Sequence, residues 1–400
     1  MPDVLHLACA AWARLAEPGD TAAGAIVRVL GPVDGLVWAR AAARGPDEAA
    51  RAARTLSGDR PDLGIGPVAL GRAVARWAPR VPGLDAERDL EATRRLGARF
   101  VVPADADWPG GLDDLGDATP RGLWLRGDPA AVHGLSRSVA LVGARACTDY
   151  GSHVAADLAH GAASQGVVVV SGGAYGIDAA AHRGALAAGA PTVAFLAGGV
   201  DRLYPAGNAD LLRAVLTDGL VIGELPPGGV PTRVRFLQRN RLIAAASSGT
   251  VVVEAAWRSG ALSTAAHAQS LLRPVGAVPG PVTSMASGGC HRLLRDGGAV
   301  CVTDADEVVE LVGRVGGDLA PWPAGAARET DALDAVGRRL FDALPLRRAA
   351  TVTVVARDAG LALDETLGGL GLLEVAGFAE RSGDGWRRRP GTSARDGAPS

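Results

Sequence analysis

Three short segments carry residue types suited to holding a polyanion. Residues 233–241, Arg233-Val234-Arg235-Phe236-Leu237-Gln238-Arg239-Asn240-Arg241, gather four guanidinium groups, one aromatic ring and one carboxamide. Guanidinium forks take phosphodiester oxygens and an aromatic ring stacks on an unpaired base, so this mixture fits a single-stranded nucleic acid. A merely solvated basic face fits less well, because Phe236 and Leu237 lie inside the segment and the apolar residues 242–246 follow at once. No acid occurs between Glu224 and Glu254. The second segment, Gly143-Ala144-Arg145, ends an apolar run; a glycine there lets a phosphate approach the backbone, and the following helix start offers free N–H groups. On its own that turn reads more readily as an ordinary strand-to-helix connection. The third, Ser171-Gly172-Gly173-Ala174-Tyr175-Gly176-Ile177-Asp178, holds three glycines and a hydroxyl straight after a second apolar run, which suits an anion-binding concavity of amides. The expected contacts are therefore Gly143, Arg145, Ser171, Gly172, Gly173, Gly176, Phe236, Arg239, Asn240 and Arg241, with Arg145, Arg239 and Arg241 the strongest. His182, one helical turn after Asp178, reads as a packing residue.

The elements around these segments explain their placement. Between residues 138 and 312, short apolar runs (139–142, 167–170, 192–196, 220–222, 250–253 and 274–278) alternate with alanine-rich stretches of helical spacing. That alternation predicts an α/β doubly wound parallel sheet of Rossmann-like type, whose ligands gather at the carboxyl ends of the strands. Residues 1–98 predict several short helices cut at Gly31-Pro32, 58–66 and 79–83, and 100–127 a segment of short strands and turns. Residues 314–330 read as a Gly/Pro/Ala linker, 331–390 as three helices closed by a hairpin in winged-helix order, and 391–400 as a disordered tail.

Composition narrows the function. All 41 basic residues are arginine, so chemistry that needs a lysine, as in P-loop nucleotide hydrolysis or Schiff-base formation, is excluded. The formal net charge of −2 gives no global pull on nucleic acid, so binding must come from a local patch. Residues 138–300 supply one, with 12 arginines against nine acids, a third of those arginines in 233–241. The four cysteines form no CxxC pair, and neither a metal nor a cofactor is expected. No apolar run approaches membrane-spanning length and no signal-peptide pattern opens the chain, which points to a cytoplasmic protein.

Taken together, residues 139–151, 171–182, Gly198-Gly199-Val200-Asp201 with Tyr204-Pro205 and Asn208, Glu224-Leu225-Pro226-Pro227-Gly228, Arg239-Asn240-Arg241, residues 259–265 and Val278-Pro279-Gly280 resemble the DNA-processing protein A family, also called Smf. The resemblance runs in unbroken order from about residue 108 to 312. It implies an extended Rossmann-like core that binds single-stranded DNA, a helical N-terminal domain of SAM or helix-hairpin type and a C-terminal winged helix. It also implies a role in natural transformation, protecting incoming strands and loading a RecA-type recombinase, as a homodimer without catalytic activity. The family's Gly-Ser-Arg turn is Gly143-Ala144-Arg145 here, without the hydroxyl. Its Phe-Pro-x-Arg-Asn-Arg becomes Phe236-Leu237-Gln238-Arg239-Asn240-Arg241, without the proline, and a later asparagine is replaced by His291.

Two rival readings follow from the same residues. Related Rossmann-like proteins hydrolyse nucleoside monophosphates at the N-glycosidic bond with a Gly-Gly-x-Gly-Thr-x-x-Glu signature. Here Glu254 stands at a comparable strand end but the glycine run is missing, and a solitary carboxylate is weak acid–base equipment. Ordering the adjacent turns is the better role for it. A winged-helix transcription regulator would rest on residues 332–389 alone and leave the larger domain without a purpose.

Overall fold

The computed structural model describes residues 3–314, 317–320, 330 and 333–389. Most of the expected linker and the whole expected tail lie outside them. Contacts divide the chain into two compact units, residues 1–320 and 321–400.

The first unit begins with α1 (Val4–Leu15), α2 (Thr21–Ala42), α3 (Pro46–Asp59), α4 (Pro67–Trp77) and α5 (Ala86–Arg95). Small alanine faces let these helices approach closely around Trp12 and Trp77, which meet edge to face at 5.5 Å. Each buried indole finds an acceptor, Trp12 on the Pro32 carbonyl and Trp77 on Asp20, which also caps α2. Residues 21–42 are, by length and composition, apolar enough to cross a membrane, which the count of uninterrupted apolar residues had missed. Gly31 breaks the helix at φ 78°, just before Pro32, and Ala25, Ile26 and Ala39 are buried in the core of these helices.

Next come β1 (Arg99–Val101), β2 (Leu123–Gly127), β3 (Ser138–Gly143), α6 (Asp149–Ser164), β4 (Val168–Ser171), α7 (Ile177–Ala187), β5 (Thr192–Leu196), α8 (Ala209–Asp218), β6 (Leu220–Gly223), α9 (Arg233–Ala246), β7 (Gly249–Glu254), α10 (Ala261–Ser270), β8 (Val275–Ala277), α11 (Gly288–Arg295), β9 (Val300–Cys301) and α12 (Ala305–Val312). One nine-stranded sheet results, in the order β1-β2-β6-β5-β4-β3-β7-β8-β9, with β3 to β9 parallel and β1 and β2 added antiparallel beside β6. The doubly wound parallel sheet expected from the alternation of runs is present, and the early strand-and-turn segment belongs to it as an edge. Alternate residues of each strand serve opposite layers: Val139 and Leu141 pack with α6 and α7, and Ala140 and Val142 with α9 and α10. The chain leaves β3 toward β4 on one side and returns to β7 on the other, so the topological switch point lies between β3 and β7.

The second unit holds α13 (Ala335–Ala343), α14 (Val352–Ala359), α15 (Leu363–Val375) and the hairpin β10 (Ala379–Ser382) and β11 (Gly385–Arg388). Leu340, Phe341, Val355, Leu370, Leu373, Phe378 and Trp386 form its core, and Ala350 bridges to Trp386 at the hairpin.

Candidate nucleic-acid interface

At the switch point the strand ends open into a crevice of about 880 Å³. Its walls are the connection after β3, the N-terminal half of α9 and the connection after β7; Ala174, Asp178 and Tyr204 close the side toward β4 and β5. Gly143, Arg145, Phe236, Arg239 and Asn240 all line it.

Glu254, at the end of β7, organises the first wall. Its two carboxylate oxygens accept from the backbone N–H and the hydroxyl of Thr148, each at 2.8 Å, and Thr148 in turn caps α6. The Ala144 N–H donates to the Glu254 carbonyl at 2.7 Å, and the Ile177 N–H to the Ala144 carbonyl at 3.2 Å. These bonds present Arg145 outward. Its guanidinium is exposed, makes no ion pair among the described residues, and lies 4.4 Å from the Phe236 ring centroid. Arg233 and Arg258 line the same crevice, are exposed, and likewise have no acidic partner among the described residues. Neither was among the expected contacts, although Arg233 belongs to the basic segment; Arg258 was legible only as a cation just beyond a strand end. The Asn240 carboxamide donates to the Gly260 carbonyl and to Ser263, so it ties α9 to the connection after β7.

The glycine turn differs from its expected role. Ser171 is buried and its hydroxyl donates to the Leu141 carbonyl at 2.7 Å. The Gly172 and Ala174 amides, which would have cradled a phosphate, donate to Asp178 at 3.1 and 3.3 Å. Asn208 takes the Gly173 and Ala174 carbonyls. Asp178, within the same motif, thus occupies the anion position itself. Burial pushes its carboxyl above the ordinary carboxylate range, against the pull of Arg239 and the two amides. The glycines serve close packing: a Cβ at Gly172 would overlap the Arg239 guanidinium, and one at Gly176, where φ is +75°, would overlap the Ala144 carbonyl.

Arg239 forms the crevice floor. It is buried, donates to the Phe195 carbonyl at 2.6 Å, and leaves its Nε without a partner. Burial draws its guanidinium down to about 10, with Asp178 opposing, so it stays charged at neutral pH. His182 is fully buried with Nδ1 on Thr192, and burial lowers it to about 3, which makes it the packing residue expected of it.

Arg241 departs from the expectation. It does not line the crevice; it is buried, with Nη1 and Nη2 on the Glu224 carboxylate at 2.8 and 2.7 Å and Nε and Nη2 on the Ala118 carbonyl. Successive helical residues turn by about 100°, so 239 and 241 leave α9 in opposed directions. Arg235 also turns away, pairing with Glu17 of the N-terminal helices. Among the described residues no three His, Cys, Asp or Glu side chains gather into a metal-holding group.

Comparison with known proteins agrees with this architecture. The family model for DNA recombination-mediator protein A matches residues 99–313. The chain is 44% identical over 393 residues to the DNA processing protein DprA of Mycobacterium tuberculosis, covering 94% of this chain and 93% of that one. Protein Smf of Escherichia coli is 37% identical over 212 residues, 52% of this chain and 56% of its own length. The X-ray structure of DNA processing protein A from Streptococcus pneumoniae superposes with a TM-score of 0.55 at 29% identity, over 69% of this chain and 96% of that one. With the matched segment spanning the whole sheet and the crevice built on it, the chain belongs to the DNA recombination-mediator protein A family.

Proposed function

We propose that the protein binds single-stranded DNA in the crevice between β3 and β7. The observation that carries this reading is the set of three exposed guanidiniums without acidic partners among the described residues, Arg145, Arg233 and Arg258, lining one crevice beside aromatic rings. Among the described residues that line the crevice the only carboxylate is Asp178, already engaged by its own turn. Unspent guanidinium at a strand-end crevice is equipment for a phosphodiester chain, and the rings beside it suit unpaired bases. Family membership supports the wider role: protecting incoming strands and helping to load a RecA-type recombinase during natural transformation, in the cytoplasm and as a homodimer. The protein acts without catalysis, a reading supported by Glu254 spending both oxygens on Thr148 rather than facing a partner acid or base.

Anisotropy titrations with oligothymidylate and with a duplex of equal length test the reading. Tighter binding of the single strand, weakening steeply with salt, is expected from counterion release. Equal affinity for the two, or no dependence on salt, would refute it.

The second unit, with its three helices and hairpin, we assign to the winged-helix class as an auxiliary contact. A duplex-reading helix needs cations beside the phosphates. Helix α15 carries Asp364, Glu365 and Glu374 and no arginine, whereas Arg381, Arg387, Arg388 and Arg389 sit on the hairpin and just beyond it. A chain ending at Ala320 is expected to keep most of its single-strand affinity in the same titration. Loss of nearly all binding, with the circular dichroism of a folded sheet retained, would move the principal site to the second unit.

A further inference from the structure

Stacking of a base on Phe236 is what the sequence suggests, yet that ring is already engaged. The Arg145 guanidinium carbon lies 4.4 Å from its centroid and that of Arg239 5.9 Å away. A base stacking on the ring face that Arg145 covers would have to displace that guanidinium and give up its cation–π contact. The neighbouring ring is half exposed. Tyr204 lies 6.0 Å from Phe236 at 51°, lines the crevice, and is 49% exposed. Its hydroxyl makes no hydrogen bond among the described residues. A second tyrosine stands close by on the connection after β4: Tyr175, 48% exposed, packs across Gly207, whose N–H donates to the Tyr175 hydroxyl at 3.2 Å. The Tyr204 connection also carries Arg202, exposed and without an ion pair among the described residues.

We propose that Tyr204, with Tyr175 beyond it, is the base-stacking platform of this crevice, and that Phe236 serves instead to hold the Arg145 fork for a phosphate. The proposal rests on the single-stranded DNA reading and adds a path to it. Strands β4 and β5 are neighbours in the sheet, about 5 Å apart, so the connections that follow them can present two rings to consecutive bases. The strand then crosses the carboxyl ends of β4 and β5, with Arg202 on the connection after β5 available to a phosphate. Every base has a π face, so such a ledge binds without reading sequence.

The test uses the full chain and oligothymidylates carrying 2-aminopurine at successive positions, whose emission falls when the base stacks on a ring. Bound to the parent protein, two adjacent positions are expected to be quenched. Tyr204→Leu keeps the bulk of the side chain but has no π face; it is expected to restore emission at one position and to weaken binding at least about fivefold. Tyr204→Phe and Tyr204→Trp are expected to retain both quenching and affinity, and Tyr175→Leu to release the other position. Bright 2-aminopurine in the parent complex, or unchanged affinity and quenching in Tyr204→Leu, would overturn the platform while leaving single-strand binding intact. Failure of the parent protein to bind any of the oligonucleotides would overturn the binding reading, and the platform with it.

Discussion

Replacing Arg241 by alanine is expected to cost about 3–5 kcal/mol of folding stability, the usual consequence of leaving one member of a buried ion pair alone. Glu224 would lose its partner in a site where the pair's side chains are only 6% and 11% exposed, and the Ala118 carbonyl would lose its donors as well. For an ordinary two-state unfolding this shifts the urea midpoint well below the parent's with little change in slope. Replacing both members with apolar residues of similar volume is expected to recover much of the loss, because it removes the stranded charge. An alanine variant that unfolds like the parent while failing to bind DNA would restore Arg241 to the interface.

The crevice arginines are expected to behave in the opposite way. Arg145→Ala removes a guanidinium that no acid among the described residues neutralises, so single-strand affinity is expected to fall by about 1.5–3 kcal/mol, tenfold or more, with the melting temperature nearly unmoved. Removing Arg145, Arg233 and Arg258 together is expected to flatten the dependence of log affinity on log salt by about two, since each phosphate contact with a single strand contributes about 0.7. A triple variant whose salt slope equals the parent's would show that the phosphates are held elsewhere.

These contrasting arginines show where the sequence is readable. The parallel strands were legible because a strand buried on both faces is a short unbroken apolar run; residues 139–142 and 250–253 fall inside β3 and β7. The edge strands β1 and β2 were seen as strand-like, but an antiparallel partner for β6 is a long-range choice that no local pattern encodes. The crevice itself followed from the strand ends. What failed was the direction of side chains within one helix and the satisfaction of donors within one turn. Arg239 and Arg241 look equivalent in a basic run; helical phase sends them in opposed directions, and the positions of Glu224 and the crevice in space decide which of the two is spent on an ion pair. The glycine turn carried its own warning: Asp178 lies six residues after Gly172, close enough to fill the cradle itself.

Helix α9 belongs to two cores at once. Phe236, Asn240 and Ile243 face the crevice, while Arg235 reaches Glu17 and Arg241 packs against Gly19 and the Ala118 carbonyl. None of the described N-terminal residues lines the crevice, yet the wall of the crevice cannot swing without breaking the Arg235–Glu17 ion pair and the packing of Arg241 on Gly19. Local opening is therefore not a private event of either region. Amides of α9 are expected to exchange with solvent together with those of the N-terminal helices, as one cooperative unit. The helical N-terminus works as a brace: it holds the crevice wall from behind, and a lesion in the connection between α1 and α2 is expected to be felt as looseness at a surface it never touches.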